Sequence, residues 1–136
     1  MNNKGFTMIE ILGVVVLLGI LMSTAVIGVS IYKKKAEEDA VEIMANTAMN
    51  ATKNYLIDHP SDDLNFVVSL NKLYNSGYME RPVDPSEENK MCIGEVEAIK
   101  ISDSLKTYEY EVKVCCSLYS KLYKFPGNIV TDITCP

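Results

Sequence analysis

Three groups of residues have types and spacings that could support chemistry: Gly5 and Phe6 just ahead of Glu10, four cysteines (Cys92, Cys115, Cys116 and Cys135), and a single histidine, His59. Gly5 has no side chain, so an extended backbone can pass close to the catalytic groups of a protease at that point. Glu10 borders the run from Ile11 to Tyr32, which carries no charge. A carboxylate costs on the order of 2.5–3.5 kcal/mol at the middle of a bilayer and less near its surface, so an acid here needs a partner. The dipole of a helix beginning nearby contributes up to about 1 kcal/mol, which does not offset burial.

The cysteines form an even set, which suits disulfides, with zinc as the rival. There is no Cys-x-x-Cys spacing and no second histidine, so no metal is expected. Of the three connectivities, a vicinal Cys115–Cys116 bond is least favoured, because disulfides hold their Cα atoms well apart. Strand alternation turns Cys116 inward and favours Cys92–Cys116 with Cys115–Cys135. His59 stands beside Pro60 at a helix end, where a capping or solvated role is expected. No nucleophile, base and orienting group converge, and no phosphate-cradling loop is present, so the sequence implies neither an enzyme nor a cofactor.

The elements that must position these residues begin with the apolar run. At about 20 residues per hydrocarbon core, Ile11 to Tyr32 can cross a bilayer as one helix. A signal peptide has an apolar centre of roughly 7–15 residues and then a cleavage site, whereas this run continues into a patterned helix. Ala36, Ala40, Ile43, Met44, Thr47, Ala48, Ala51 and Tyr55 recur at three- and four-residue steps, predicting a stripe that faces a sheet or neighbouring helices. One helix is therefore expected from about Thr7 to Ile57, roughly 75 Å at 1.5 Å per residue, ending at Asp58-His59-Pro60. Gly13, Gly19 and Gly28 are weak helix formers within it and sites for local unwinding.

Beyond the helix, Ser61-Asp62-Asp63 reads as a loop, and Ser69 caps a short helix, Leu70 to Asn75, which Gly77 terminates. Arg81 to Asn89 is a turn-rich connector. Strands are expected at Met91–Ile101, Thr107–Tyr119 and Ile129–Cys135, with a tight turn at Phe125-Pro126-Gly127-Asn128. In the second strand, Tyr108, Tyr110, Val112, Val114, Cys116 and Leu118 form the inward face. The fold class is α+β: a long N-terminal helix packed on a small antiparallel sheet.

Lys4-Gly5-Phe6-Thr7-Met8-Ile9-Glu10 followed by the apolar run resembles the N-terminal processing motif of type IV pilins and pseudopilins. Leu73-Tyr74-Asn75-Ser76-Gly77-Tyr78-Met79 resembles a segment of Gram-positive members. The resemblance implies a lollipop-shaped subunit with a leader at residues 1–5, a membrane and assembly half-helix at 6–32, and an ectodomain at 33–136 whose helical part ends near residue 58. It implies that a prepilin peptidase cuts after Gly5 and methylates Phe6, and that Glu10 and Phe6 serve assembly. The partners implied are the peptidase, identical or homologous pilins, the cytoplasmic membrane and the pilus assembly machinery. The N-terminus would be cytoplasmic before assembly, and the subunit would lie in an extracellular filament after it. Many members carry a proline near the position of Ile27, and this chain does not.

Removing Lys4 and Glu10 from 13 basic and 18 acidic residues leaves 12 − 17 = −5 beyond the span. That balance argues against a surface that coats nucleic acid. Lys33, Lys34 and Lys35 directly after the span would, by the positive-inside rule alone, place the C-terminal side in the cytoplasm. Four ectodomain cysteines, which suit an oxidising space, override it. The leading function is a structural pilin for adhesion, motility or attachment. The alternatives are a pseudopilin of a DNA-uptake or secretion fibre and, third, a membrane-anchored binding domain unrelated to pili.

Overall fold

The computed structural model describes residues 5–102 and 107–136; Met1 to Lys4, which are most of the expected leader, lie outside the described residues. In chain order the elements are α1 (Met8–Asp58), β1 (Asn65–Ser69), α2 (Leu70–Asn75), β2 (Ile93–Ser102), β3 (Thr107–Cys115), β4 (Ser120–Phe125) and β5 (Ile129–Asp132). The fold class is α+β, as the patterning requires. Contacts divide the chain into two compact units, Met1–Ala36 and Glu37–Pro136.

In the first unit every described residue is exposed. A helix apolar on all sides has no polar face to offer water, so it belongs in a bilayer or among other helices. Its hydroxyls are consistent with that. Ser23 donates to the carbonyls of Gly19 (3.1 Å) and Ile20 (2.9 Å), Thr24 to that of Leu21 (3.0 Å), and Ser30 to that of Ile27 (2.9 Å). Each polar group is thus satisfied within its own helix, which removes the main cost of placing it in hydrocarbon. The helix runs unbroken through Gly13, Gly19 and Gly28, because intrahelical bonding in such a run outweighs about 1 kcal/mol of propensity per glycine.

In the second unit, α1 buries Val41, Ala45, Ala48, Ala51 and Thr52. This corrects the expected stripe: Ala48 and Ala51 belong to it, whereas Ile43 is 65% exposed and Ala36 and Thr47 are also outside. The helix turns about 100° per residue, and the face actually chosen includes Thr52, whose hydroxyl is satisfied by the Ala48 carbonyl at 2.8 Å. Small residues let the helix approach Val68, Val96, Ala98, Val112 and Val114, which complete the core with Leu70 and Leu73.

The sheet is an antiparallel meander in the order β1-β2-β3-β4-β5. Two strands escaped the sequence reading, β1 and β4. The expected strand Thr107–Tyr119 ends at Cys115; the chain turns at residues 116–119 and returns as β4, with Cys115 opposite Ser120. That turn reverses the expected alternation, so Leu118 is 72% exposed and Tyr119 is buried. The last strand stops at Asp132 rather than Cys135. The tight turn at 126–128 is present, and Asn128 there has φ 49°, a left-handed conformation that asparagine tolerates. Gly94 in β2 is required by space: a Cβ there would stand 2.0 Å from the Lys113 carbonyl oxygen and 2.6 Å from Leu70 Cδ1.

Ser69 caps α2 by accepting from the Lys72 N–H at 3.2 Å. The helix closes with Tyr78 N–H on the Leu73 carbonyl and Gly77 N–H on that of Tyr74, with Gly77 at φ 79°. This is the six-to-one, five-to-two pair of a glycine-terminated helix. Tyr78 then donates to Asp58 Oδ2 at 2.6 Å and meets the Tyr55 ring edge-on, which ties the end of α1 to the segment after α2.

The connector Arg81–Asn89 contains a residue that the sequence reading did not single out. Asp84 is 1% exposed. Its carboxylate accepts from Ser86 N–H (2.9 Å), Ser86 Oγ (2.6 Å) and, across the fold, Ser117 N–H (2.6 Å). Burial opposes its ionisation, yet the Ser86 and Ser117 bonds outweigh burial and hold the carboxyl well below the usual range.

Candidate processing and assembly site

Gly5, Phe6 and Thr7 precede the first helical residue, and all three are exposed, Phe6 by 84%. The helix starts where it does because of Thr7 and Glu10. Thr7 accepts at its carbonyl from Glu10 N–H (3.0 Å) and Ile11 N–H (3.2 Å), and its hydroxyl accepts from Glu10 N–H at 3.4 Å. In return, Glu10 Oε2 accepts from Thr7 N–H (2.8 Å) and Thr7 Oγ1 (2.9 Å). This reciprocal arrangement is a capping box, and its signal, Thr-x-x-Glu, was readable in the sequence but missed there.

Gly5, Phe6 and Thr7 are exposed and lie outside the helix, immediately before a sharply defined helix start. Glu10 is held in one rotamer at the helix mouth, and because a carboxylate offers about four lone-pair sites, two bonds on Oε2 leave capacity for a cationic donor.

In the second unit, Cys92 is bonded to Cys116 and Cys115 to Cys135, with Cα separations of 4.4 and 6.1 Å. Cys115 closes β3 and Cys116 begins the turn, so consecutive residues are tied to the segments just before β2 and just after β5. Asp84, Cys92 and Cys116 bring ligand atoms within 4.8 Å of one another. Both sulfurs are consumed by the bond between them and Asp84 by its serine donors, so the cluster offers no thiolate. His59 stacks on Tyr55 at 4.5 Å, with Nδ1 3.3 Å from the Tyr55 carbonyl, at the exposed end of α1. Tyr119, also unforeseen, donates to Glu37 Oε2 at 2.9 Å; burial and then that carboxylate push its phenol up to about 12.

A family model described as the prokaryotic N-terminal methylation motif matches residues 1–26. Comparison with curated proteins and with solved structures found no match.

Proposed function

We propose, from a chain that carries the type IV prepilin signature over residues 1–26, that it is the structural subunit of a type IV pilus filament, used for adhesion, motility or surface attachment. The signature supports a type IV pilin or pseudopilin, a structural rather than an enzymatic family, and implies a prepilin peptidase and other pilins as partners. The observation that carries the reading is the sequence of features along one helix. An exposed Gly5-Phe6 is followed by a capped Glu10, and then by an uncharged run exposed on every side. Cleavage after Gly5 leaves the Phe6 amine next to Thr7 while keeping the Thr7 amide that the capping box uses.

Before assembly the run anchors the subunit in the cytoplasmic membrane, N-terminus inside, and the disulfide-tied unit lies outside. In the filament, Glu10 accepts the Phe6 ammonium of a neighbouring subunit. Its burial is then favourable only at the correct axial offset, which makes a desolvation cost into a check on register. The intact mass of native protein tests the first step: the mature chain should begin at methylated Phe6. Finding Met1–Gly5 still attached in assembled material would overturn the assignment. Abundance in sheared surface filaments separates a pilus subunit from a pseudopilin.

A further inference from the structure

Lys53, Tyr108 and Tyr110 are used neither by processing nor by the Glu10 pair, and together they wall two adjoining cavities of the second unit. The first, of about 450 Å³, opens between the last turns of α1, the loop after it and β3. The second, of about 580 Å³, runs on toward Asn46, Met49 and the turn after β4. Both have the size of small-molecule sites.

The first cavity combines a cation and an aromatic ring with the acceptor end of a helix. The exposed Lys53 ammonium stands 5.4 Å from the centroid of the Tyr110 ring, and the Tyr108 and Tyr110 rings lie 6.2 Å apart at 41°. Tyr110 is 7% exposed and Tyr108 is half-buried, so Tyr108 is the ring left open to a ligand. One turn beyond Lys53 the helix approaches its end at Asp58, and Pro60 has no N–H to give to the Leu56 carbonyl. The negative pole of the helix is there, and the Asp62 carboxylate lines the same cavity. Leu56, Ile57 and Pro60 supply its apolar lining.

This set of groups discriminates by chemistry. A phosphate-rich ligand would meet the negative pole of α1 and Asp62. It would also find no guanidinium to grip it in a fork, since the chain's one arginine, Arg81, is not part of the lining. Lys100 lines the cavity too but already has an interaction within the chain, so Lys53 is the cation that matters. A fatty chain would have to desolvate Lys53 and Asp62 without pairing either. The ligand that satisfies every group is a ring with one carboxylate for Lys53, hydroxyls to donate to Asp62 and the last carbonyls of α1, and an apolar face for Tyr108. We propose that the cavity is a binding site for saccharides bearing a single uronic acid. It uses neither Gly5, Phe6 nor Glu10, so it goes beyond the filament reading and can fail separately from it.

The test titrates the full chain, nitrogen-15 labelled in mild detergent, with cellobiouronic acid, a disaccharide carrying one carboxylate, and reads amide shifts by nuclear magnetic resonance. Saturable shifts should map to Lys53, Ile57, Asp62 and Tyr108. Cellobiose, its neutral counterpart, should bind about fivefold more weakly, and K53Q should weaken the acidic disaccharide by the same factor, the effect of one partly exposed ion pair. K53R should keep the affinity. Y108L, which retains apolar bulk but loses the ring, should weaken it by about fivefold. Sodium acetate, a carboxylate without a ring, should not displace the disaccharide at equal concentration. No saturable shift, shifts centred away from the cavity, equal affinity for cellobiose, full affinity in K53Q or Y108L, or displacement by acetate would each overturn the proposal.

Discussion

Replacing Asp84 with Asn is the most informative perturbation of the second unit, because it changes one oxygen into a donor and leaves size unchanged. In the wild type, Oδ1 serves both Ser86 donors and Oδ2 serves Ser117 N–H. An asparagine can keep its oxygen toward Ser86, which points its amide hydrogens at the Ser117 N–H. The change therefore removes one charge-assisted bond, about 1.5–3 kcal/mol, and sets donor against donor. Ser117 itself is exposed, so water relieves part of the orphaned N–H, and we expect a net loss of about 2 kcal/mol. For a unit of about a hundred residues that lowers Tm by roughly 8–16 °C. The pH dependence gives an independent check. The folded carboxyl lies below its unfolded value, so its contribution is fully present above about pH 5 and fades as pH falls through about 4 and below. Urea titration of the full chain in mild detergent, disulfides intact, can follow tyrosine fluorescence: the chain has no Trp, and all its Tyr residues except Tyr32 lie in this unit. If Asp84→Asn has the wild-type midpoint at pH 7, or if the gap between the two proteins does not narrow below pH 4, then the serine bonds do not outweigh the burial of this carboxylate.

Tyr119 and Tyr123 are both pushed up to about 12, in each case chiefly by burial. The folded state therefore favours the neutral phenols, and stability should decline as pH rises from about 10 toward 12; Tyr119→Phe should flatten that alkaline limb in part, and an unchanged slope would argue against it. Gly94→Ala should cost about 1–3 kcal/mol or more in urea midpoint, since the added carbon meets the Lys113 backbone rather than a movable side chain; a neutral result would mean that β2 and β3 can separate at this point. Glu10→Ala and Glu10→Gln should leave insertion, cleavage and domain folding intact while reducing filament yield in shearing assays, with partial rescue by wild-type subunits. Filaments of wild-type yield and length would show that apolar packing alone carries assembly.

What the sequence made legible was whatever is governed by local rules. The length of α1 follows from composition and Asp58-His59-Pro60, and α2 follows from its Ser69 cap and Gly77. The core of β3 follows from period-two alternation. Interactions between distant segments decided the rest. Asn65–Ser69 is too short to show a period and becomes β1 because β2 offers it a ladder from Ile99 to Glu95. The alternation after Cys115 was carried one turn too far, since nothing local distinguishes a strand from a strand plus a tight return. Along α1, alanine fits either face, so the buried line through Val41 and Thr52 was set by the sheet's position. Asp84-Pro85-Ser86 reads locally as a turn, and only the approach of Ser117 makes it a buried anchor.

The two disulfides also determine how far this domain can be stretched. A pull transmitted from Glu37 to Pro136 travels along the backbone to Cys92, crosses to Cys116, steps back to Cys115 and crosses again to Cys135. Everything between Cys92 and Cys115, and between Cys116 and Cys135, is bypassed. At about 3.6 Å per extended residue, the oxidised path yields roughly 200 Å, against roughly 360 Å for the reduced chain. Strands β2 to β5 are therefore shielded from tension, and under load only the lower part of α1, β1, α2 and the connector can unravel. The limit to the extension of this unit is thus set by covalent bonds rather than by the strength of the sheet.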